Sequence, residues 1–297
     1  DRLVNLDAID MCCYDEAHNT PNEEFIANIK TVLPKISKNF FFTATRKVCS
    51  VSGHGMENQD VYGDVLCEIS PRVMIDRGEI VMPRITAMML DDKVSVGVVS
   101  EKNQRMIIKT ITEAFTKNKE LVKKNSSAPD MIGAKILVSF IGSDELALVQ
   151  DSEEFKAWCQ SNHVKVFSVS SKHGSYMDFE EDSRNKVYEE LKGLKDEEDC
   201  ILLHIDILTE GIDLPSLTGV LLLRHLNEIK LFQTFGRVLR LTKADRQKLY
   251  SGQMTPGDKS QLIKPYAYLI LPMHFKGMDT SSEDMKKTIQ DVISTYG

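Results

Sequence analysis

From residue 134 onward the sequence alternates short apolar runs with stretches of helical spacing, and this alternation restricts the possible folds more than any other feature. Ile136 to Ile141 is an apolar run of strand length, Ser143 to Cys159 has helical spacing, and Val164 to Val169 is the next strand. Asp182 to Leu194 is a charged helix, Cys200 to Ile205 and Val220 to Leu223 are strands, and Glu228 to Leu239 is a helix. Tyr266 to Leu271 is a late strand, and Met285 to Ile293 has helical spacing. Strands apolar along their whole length are buried on both faces, as when helices cover a parallel sheet. The pattern predicts a complete α/β domain built of βαβ units.

The N-terminal part carries a second signal of the same kind. Ile9-Asp10-Met11-Cys12-Cys13-Tyr14-Asp15-Glu16-Ala17-His18 is an apolar run that stops in two carboxylates and a histidine. It reads as a strand buried on both faces, with Asp15 and Glu16 beyond its carboxyl end, where open α/β sheets bind ligands. A carboxylate there can hold Mg²⁺ against substrate phosphates while its neighbour orients a water; otherwise the acids are merely solvated. Pro21 to Leu33 has a core-facing helical spacing with Asn19 or Thr20 placed to cap it. Phe40 to Phe42 is a strand ending in Thr43-Ala44-Thr45, hydroxyl residues that often only turn the chain. Val65 to Ile69 reads as a strand, Pro71 to Arg77 as a short helix, Ile80 to Leu90 as an extended segment and Gln104 to Lys123 as a long helix.

Bulk properties exclude several classes. With 297 residues, 42% of them hydrophobic and 27% charged, the chain has the composition of about two globular domains. No apolar run approaches the roughly 20 residues that span a bilayer, and a non-membrane, cytoplasmic setting is expected, or a nuclear or viral-factory one. Six cysteines without a C-x-x-C pair argue against a structural zinc site or a disulfide framework. The net charge of −7 excludes a broad basic field but leaves room for a local groove that tracks phosphates. The strand pattern begins almost at Asp1, an unusual start for a complete gene product, so a piece of a longer protein is expected.

Two later stretches join the acidic strand end. Glu210-Gly211-Ile212-Asp213-Leu214-Pro215 follows the strand at 200, and Gln233-Thr234-Phe235-Gly236-Arg237-Val238-Leu239-Arg240 lies on the predicted helix. Spacings of four and three place Gln233, Arg237 and Arg240 on one helix face. Two guanidiniums and an amide there suit a triphosphate, although arginines near a helix end can also serve as caps or pair with acids.

Taken in order, Asp15-Glu16-Ala17-His18, Thr43-Ala44-Thr45, Glu210-Gly211-Ile212-Asp213 and Gln233-x-x-Gly236-Arg237-x-x-Arg240 resemble the motifs of superfamily 2 helicases and translocases. The Gly-Arg-Val-Leu-Arg ending and the Glu-Gly-Ile-Asp-Leu-Pro form look like the group related to type III restriction enzyme helicase subunits. The resemblance implies two RecA-like parallel-sheet domains, the first incomplete at its N-terminus and the second complete. It places the second half of the first domain at 1–75, an interdomain connection and leading helix at 76–130, and the second domain at 131–297. It implies ATP and Mg²⁺ as cofactors, with Asp15 positioning the metal and Glu16 acting on the attacking water. His18 would couple the nucleotide site to the second domain near Gln233, and Thr43 and Thr45 would link hydrolysis to domain movement. Arg237 and Arg240 would be arginine fingers, and Gly211 and Asp213 would lie near the nucleotide. The implied activity is ATP-dependent movement along nucleic acid, DNA ahead of RNA, with further nuclease or other subunits left open.

The sequence also departs from the pattern. No Gly-Lys dipeptide occurs, so the phosphate-cradling loop G-x-x-x-x-G-K-[ST] is missing from these 297 residues. Ile205 stands where many relatives have a threonine that contacts nucleic acid, and Thr234 where many have an arginine. Two other readings therefore stay open. One is an ATPase-dead binding or interaction module derived from such a helicase. The other is a hydrolase using Asp15, Glu16 and His18 directly on a metal, which leaves the arginine helix unexplained.

Overall fold

A computed structural model describes residues 9–48, 54–90, 100–140, 142–170, 172, 174–205, 214, 216–224, 226–274 and 280–296. The chain divides into two compact units, Asp1–Glu68 and Ile69–Gly297.

The first unit is a single parallel βαβ element. Strand β1 (Ile9–Tyr14) leads through helix α1 (Glu23–Val32) to β2 (Ile36–Phe41), and the strands pair in parallel with Tyr14 opposite Phe41. Stacking of Tyr14 on Phe41, with ring centroids 4.5 Å apart, fixes that register at the strand ends. Tyr62, on the short helix α2 (Gln59–Tyr62), packs against Phe41 at 4.9 Å. Two expectations fail here. Burial of β1 on both faces does not occur: among the described residues this sheet has only two strands, and Met11 is 58% exposed. The cap of α1 is Asn22, whose side chain accepts from the Phe25 amide at 2.7 Å, while Thr20 turns back to the Ala17 carbonyl. Likewise 65–69 forms no strand. Val65, Leu66 and Ile69 are exposed, with no described strand beside them to supply hydrogen bonds.

The second unit is a three-layer α/β sandwich. After α3 (Pro71–Asp76) come β3 (Met82–Leu90), α4 (Glu101–Asn125), β4 (Lys135–Ser139), α5 (Ser143–Gln150), α6 (Glu153–Ser161) and β5 (Lys165–Val169). The hairpin β6 (Ser175–Met177) and β7 (Glu180–Asp182) follows, then α7 (Arg184–Gly193), β8 (Cys200–His204), β9 (Gly219–Leu222) and α8 (Glu228–Val238). The unit closes with α9 (Lys243–Tyr250), β10 (Tyr266–His274) and α10 (Thr280–Tyr296). One eight-stranded sheet runs β3-β10-β9-β4-β8-β5-β6-β7, parallel except at the hairpin. Residues 76–130 thus contribute an edge strand and a packed helix to this sheet.

Alternation along the strands explains the two cores. Ile136, Val138, Ile201, Leu203 and Leu221 face α4, α5 and α6, whereas Leu137, Leu202, Val220, Leu222 and Leu269 face α7, α8 and α10. The predicted helix 143–159 is in fact two, because the Ser152 hydroxyl caps the second by accepting from the Phe155 amide. The hairpin escaped sequence reading because its loop residues Asp178 and Phe179 both take positive φ (48° and 73°) without an Asn-Gly signal. Among the described residues no helix is long and apolar enough to cross a membrane.

One glycine pair pins the approach to β3. Gly257 has φ +78°, and a Cβ there would lie 2.6 Å from the Asp76 carbonyl oxygen, so the 76–79 turn and the 254–258 loop touch backbone to backbone. Gly257→Ala is expected to lower the unfolding free energy by about 1–3 kcal/mol, the range for one strained backbone position. Chemical denaturation measures it, and an unchanged midpoint would refute this packing account.

Candidate functional site

The parallel pairing of β1 and β2 brings two of the sequence-predicted motifs together. Beyond the strands, the Phe42 amide donates to the Tyr14 carbonyl at 2.8 Å and the Ala17 amide donates to the Phe42 carbonyl at 2.9 Å. These bonds set Asp15-Glu16-Ala17-His18 beside Thr43-Ala44-Thr45. Asp15 is exposed, and its carboxylate accepts from the Glu16 amide at 2.8 Å. Glu16 sits in the left-handed region (φ 48°, ψ 44°), a conformation that costs energy in a residue with a Cβ and recurs where geometry serves function.

His18 is buried, with Nδ1 3.1 Å from Thr43 Oγ1 and 3.4 Å from Glu16 Oε2. Counting hydrogens assigns the tautomer. The single Thr43 hydroxyl proton goes to the Thr45 carbonyl at 2.9 Å, so Thr43 Oγ1 must accept from His18, and the Glu16 carboxylate can only accept. His18 therefore carries its proton on Nδ1, and the same Thr43 oxygen accepts from the Thr45 amide at 3.2 Å. Glu16, His18, Thr43 and Thr45 form one hydrogen-bonded set. A change in the charge of Glu16 can reach Thr45 through three contacts, Glu16 to His18, His18 to Thr43 and Thr43 to Thr45.

Mg²⁺ is held by one or two carboxylates, waters and substrate phosphates, without a protein cage. An exposed strand-end carboxylate such as Asp15 fits that donor set. Among the described residues no group of three or more His, Cys, Asp or Glu side chains could hold a metal by itself.

The second motif group sits on α8. The Asn227 side chain caps this helix by accepting from the Lys230 amide at 2.9 Å, and Leu231, Phe235 and Val238 bury its inner face. Gln233 and Arg237 lie one turn apart, the first half-buried and the second 7% exposed. Arg240 departs from the expected single helix face. The helix ends at Val238, and Arg240 lies beyond it in an antiparallel bridge to Ile80, while the Val81 amide donates to the Leu239 carbonyl at 2.8 Å. The cause is burial of Leu239 and Leu241 on either side of Arg240, which favours an extended path over another helical turn. Thr234 is buried in α8 and Ile205 is half-buried after β8. Gly211 and Asp213 lie outside the described residues.

Sequence reading missed a buried charged pair beneath this motif. Lys264 is 1% exposed and Asp245 0% exposed, and the Lys264 side chain donates to the Val238 carbonyl at the end of α8. The only signal was a lone lysine in the apolar run Leu262-Ile263-Lys264-Pro265.

Comparison with solved structures bears on what this arrangement is. The chain superposes on the DNA-bound ATP-dependent type ISP restriction-modification enzyme LlaBIII with a TM-score of 0.58 at 16% identity, over 98% of this chain and 20% of that one. The chain shares the fold of that part of the enzyme. A fragment of a protein assigned as the HsdR subunit of a type I restriction enzyme from Vibrio vulnificus YJ016 matches the chain with a TM-score of 0.51 at 17% identity. That match covers 89% of this chain and 48% of the other. The chain thus spans less than half the length of either protein. The mostly parallel eight-stranded sheet fits a RecA-like domain. No protein-family profile and no curated protein matches the sequence.

Proposed function

We propose that these residues belong to an ATP-hydrolysing motor that moves along nucleic acid, DNA ahead of RNA. In this reading residues 1–75 belong to a first RecA-like domain, 76–130 lead into a second, and 131–297 form the bulk of that second. The observation that carries the reading is the hydrogen-bonded set Glu16–His18–Thr43–Thr45. It ties the residue that would act on water to the Thr43 hydroxyl and the Thr45 main chain, a path suited to relaying the change of charge during hydrolysis. Mg²⁺, held by Asp15 and the phosphates, would neutralise charge on the transferring group. Glu16 orients the attacking water and takes its proton, and the Nδ1–H of His18 keeps the Glu16 carboxylate in place. Arg237 and Arg240 supply positive charge to the phosphoryl oxygens, with Gln233 one turn from Arg237, and Gly211 and Asp213 near the nucleotide.

The test is ATP-dependent displacement of a third strand from a DNA triplex, or of an annealed strand from DNA or RNA, by the full-length gene product that carries these residues. Displacement on DNA supports the proposal as stated, and displacement on RNA alone reverses the order of substrates. Binding of nucleic acid with neither hydrolysis nor displacement would favour the ATPase-dead module. Thr43→Ala checks the coupling role separately. It is expected to keep ATP hydrolysis within a few-fold while displacement falls on the order of tenfold or more, a coupling free energy in the usual range. Equal losses in both assays would remove Thr43 from that role.

A further inference from the structure

Lys264 and Lys135 are the two buried lysines among the described residues of the second unit. A buried ammonium must have its hydrogens satisfied, and that of Lys264 donates to the carbonyls of Leu217 at 2.8 Å, Val238 at 2.9 Å and Arg240. Three donors meet three acceptors, so the ammonium is saturated by backbone alone. Two of those carbonyls, Val238 and Arg240, belong to the end of α8 and the residue just past it, where the helix dipole favours a cation.

The position of Lys264 is itself fixed. The buried Asp245 carboxylate accepts from the Ile263 amide at 2.8 Å and the Lys264 amide at 3.1 Å, one oxygen to each. Thr242 caps α9 by accepting from the Asp245 amide at 2.9 Å, which ties the carboxylate to the segment that follows Arg240. Burial pushes the Lys264 ammonium down to about 7, with Asp245 and Asp196 opposing the fall and Lys135 and Arg240 adding to it. Two of the three bonds from this buried amine go to one bend of the backbone, so the side chain is built to hold that bend.

We infer that Lys264, held by Asp245, is a positioning residue that sets the path of the chain through Val238–Arg240 and thereby aims Arg240. A serial hold results: Asp245 places the Lys264 backbone, Lys264 clamps the carbonyls of Val238 and Arg240, and the bridge to Ile80 closes the other side. Neither Lys264 nor Asp245 touches nucleotide in this account. The inference rests on the reading of Arg240 as a finger only for its effect on turnover; the backbone effect stands alone.

The experiment compares wild type with Lys264→Met in the full-length gene product by hydrogen exchange and steady-state ATPase kinetics. Exchange of the amides over 236–242 is expected to accelerate at least about tenfold, with protection in β4 and β8 unchanged. Turnover is expected to fall on the order of 10²-fold with KM for ATP within about twofold, as when a group is misplaced by about an ångström. Unchanged exchange over 236–242, acceleration spread evenly over the sheet, or loss confined to KM would each overturn the inference. If Lys264→Met does not fold, Asp245→Asn removes one of the two carboxylate acceptors and must show the same local pattern in milder form. If wild type hydrolyses no ATP, the functional reading fails, and the exchange comparison alone decides whether Lys264 holds this bend.

Discussion

Glu16→Gln in the full-length gene product is expected to lower ATP turnover by on the order of 10²–10⁴-fold, the span of positioned acid–base groups, while ATP binding stays within a few-fold. The substitution preserves shape and the αL backbone, and the amide oxygen can still accept from His18 Nδ1–H. It removes the ability to take a proton from water. Loss should therefore fall on kcat, with KM little changed. Glu16→Ala serves as a control, since it also removes the acceptor 3.4 Å from His18. Turnover that survives Glu16→Gln would show that another group acts on the water.

Arg240→Ala is expected to reduce turnover by about 10³-fold or more, the scale of arginine-finger losses, with ATP affinity nearly intact. Arg240 is half-buried and lies past the end of α8, and its main chain forms the bridge to Ile80 and accepts from Lys264, contacts that a side-chain truncation does not itself remove. Arg237 differs. It is buried in the helix, and Arg237→Ala would combine any catalytic loss with a packing loss. Lys at position 240 should not rescue activity, because a point charge cannot bridge two phosphoryl oxygens as a planar guanidinium does. Full activity in Arg240→Lys would contradict the finger role.

Much of the second unit was legible because its strands are buried on both faces, and runs such as Cys200–His204 announce themselves by composition alone. Motif order was legible for the same reason: each motif directly follows, or sits on, an element with a strong period. What escaped reading had a local physical cause. Asp178 and Phe179 turn a hairpin through positive φ with unusual residues, and Ser152 interrupts a helical pattern by capping from within it. The bond from Lys264 to the Arg240 carbonyl joins residues 24 apart in the chain, and no period encodes such a contact. Residues 65–69 misled in the opposite direction. Their β-branched and apolar side chains promise a strand, but a strand needs a partner, and the described chain places none beside them.

The resemblance ties His18 to the second domain near Gln233 and gives no link to Thr43; the contacts of His18 with Thr43 and Glu16 come from the structure alone. A parallel βαβ unit aligns the ends of its two strands, so the residues just past β1 and β2 are neighbours whatever their identity. The identity matters at the next step. The ring proton of His18 at Nδ1 can donate toward both a carboxylate and a hydroxyl that has already spent its own proton, which an acceptor-only side chain could not do.

The most direct test of the motor reading is the rate of ATP hydrolysis by the full-length gene product with and without DNA, measured side by side for wild type and Glu16→Gln. The account predicts hydrolysis that DNA stimulates in wild type and that Glu16→Gln abolishes in both conditions. Hydrolysis that is absent from wild type, or indifferent to both DNA and Glu16, would contradict it.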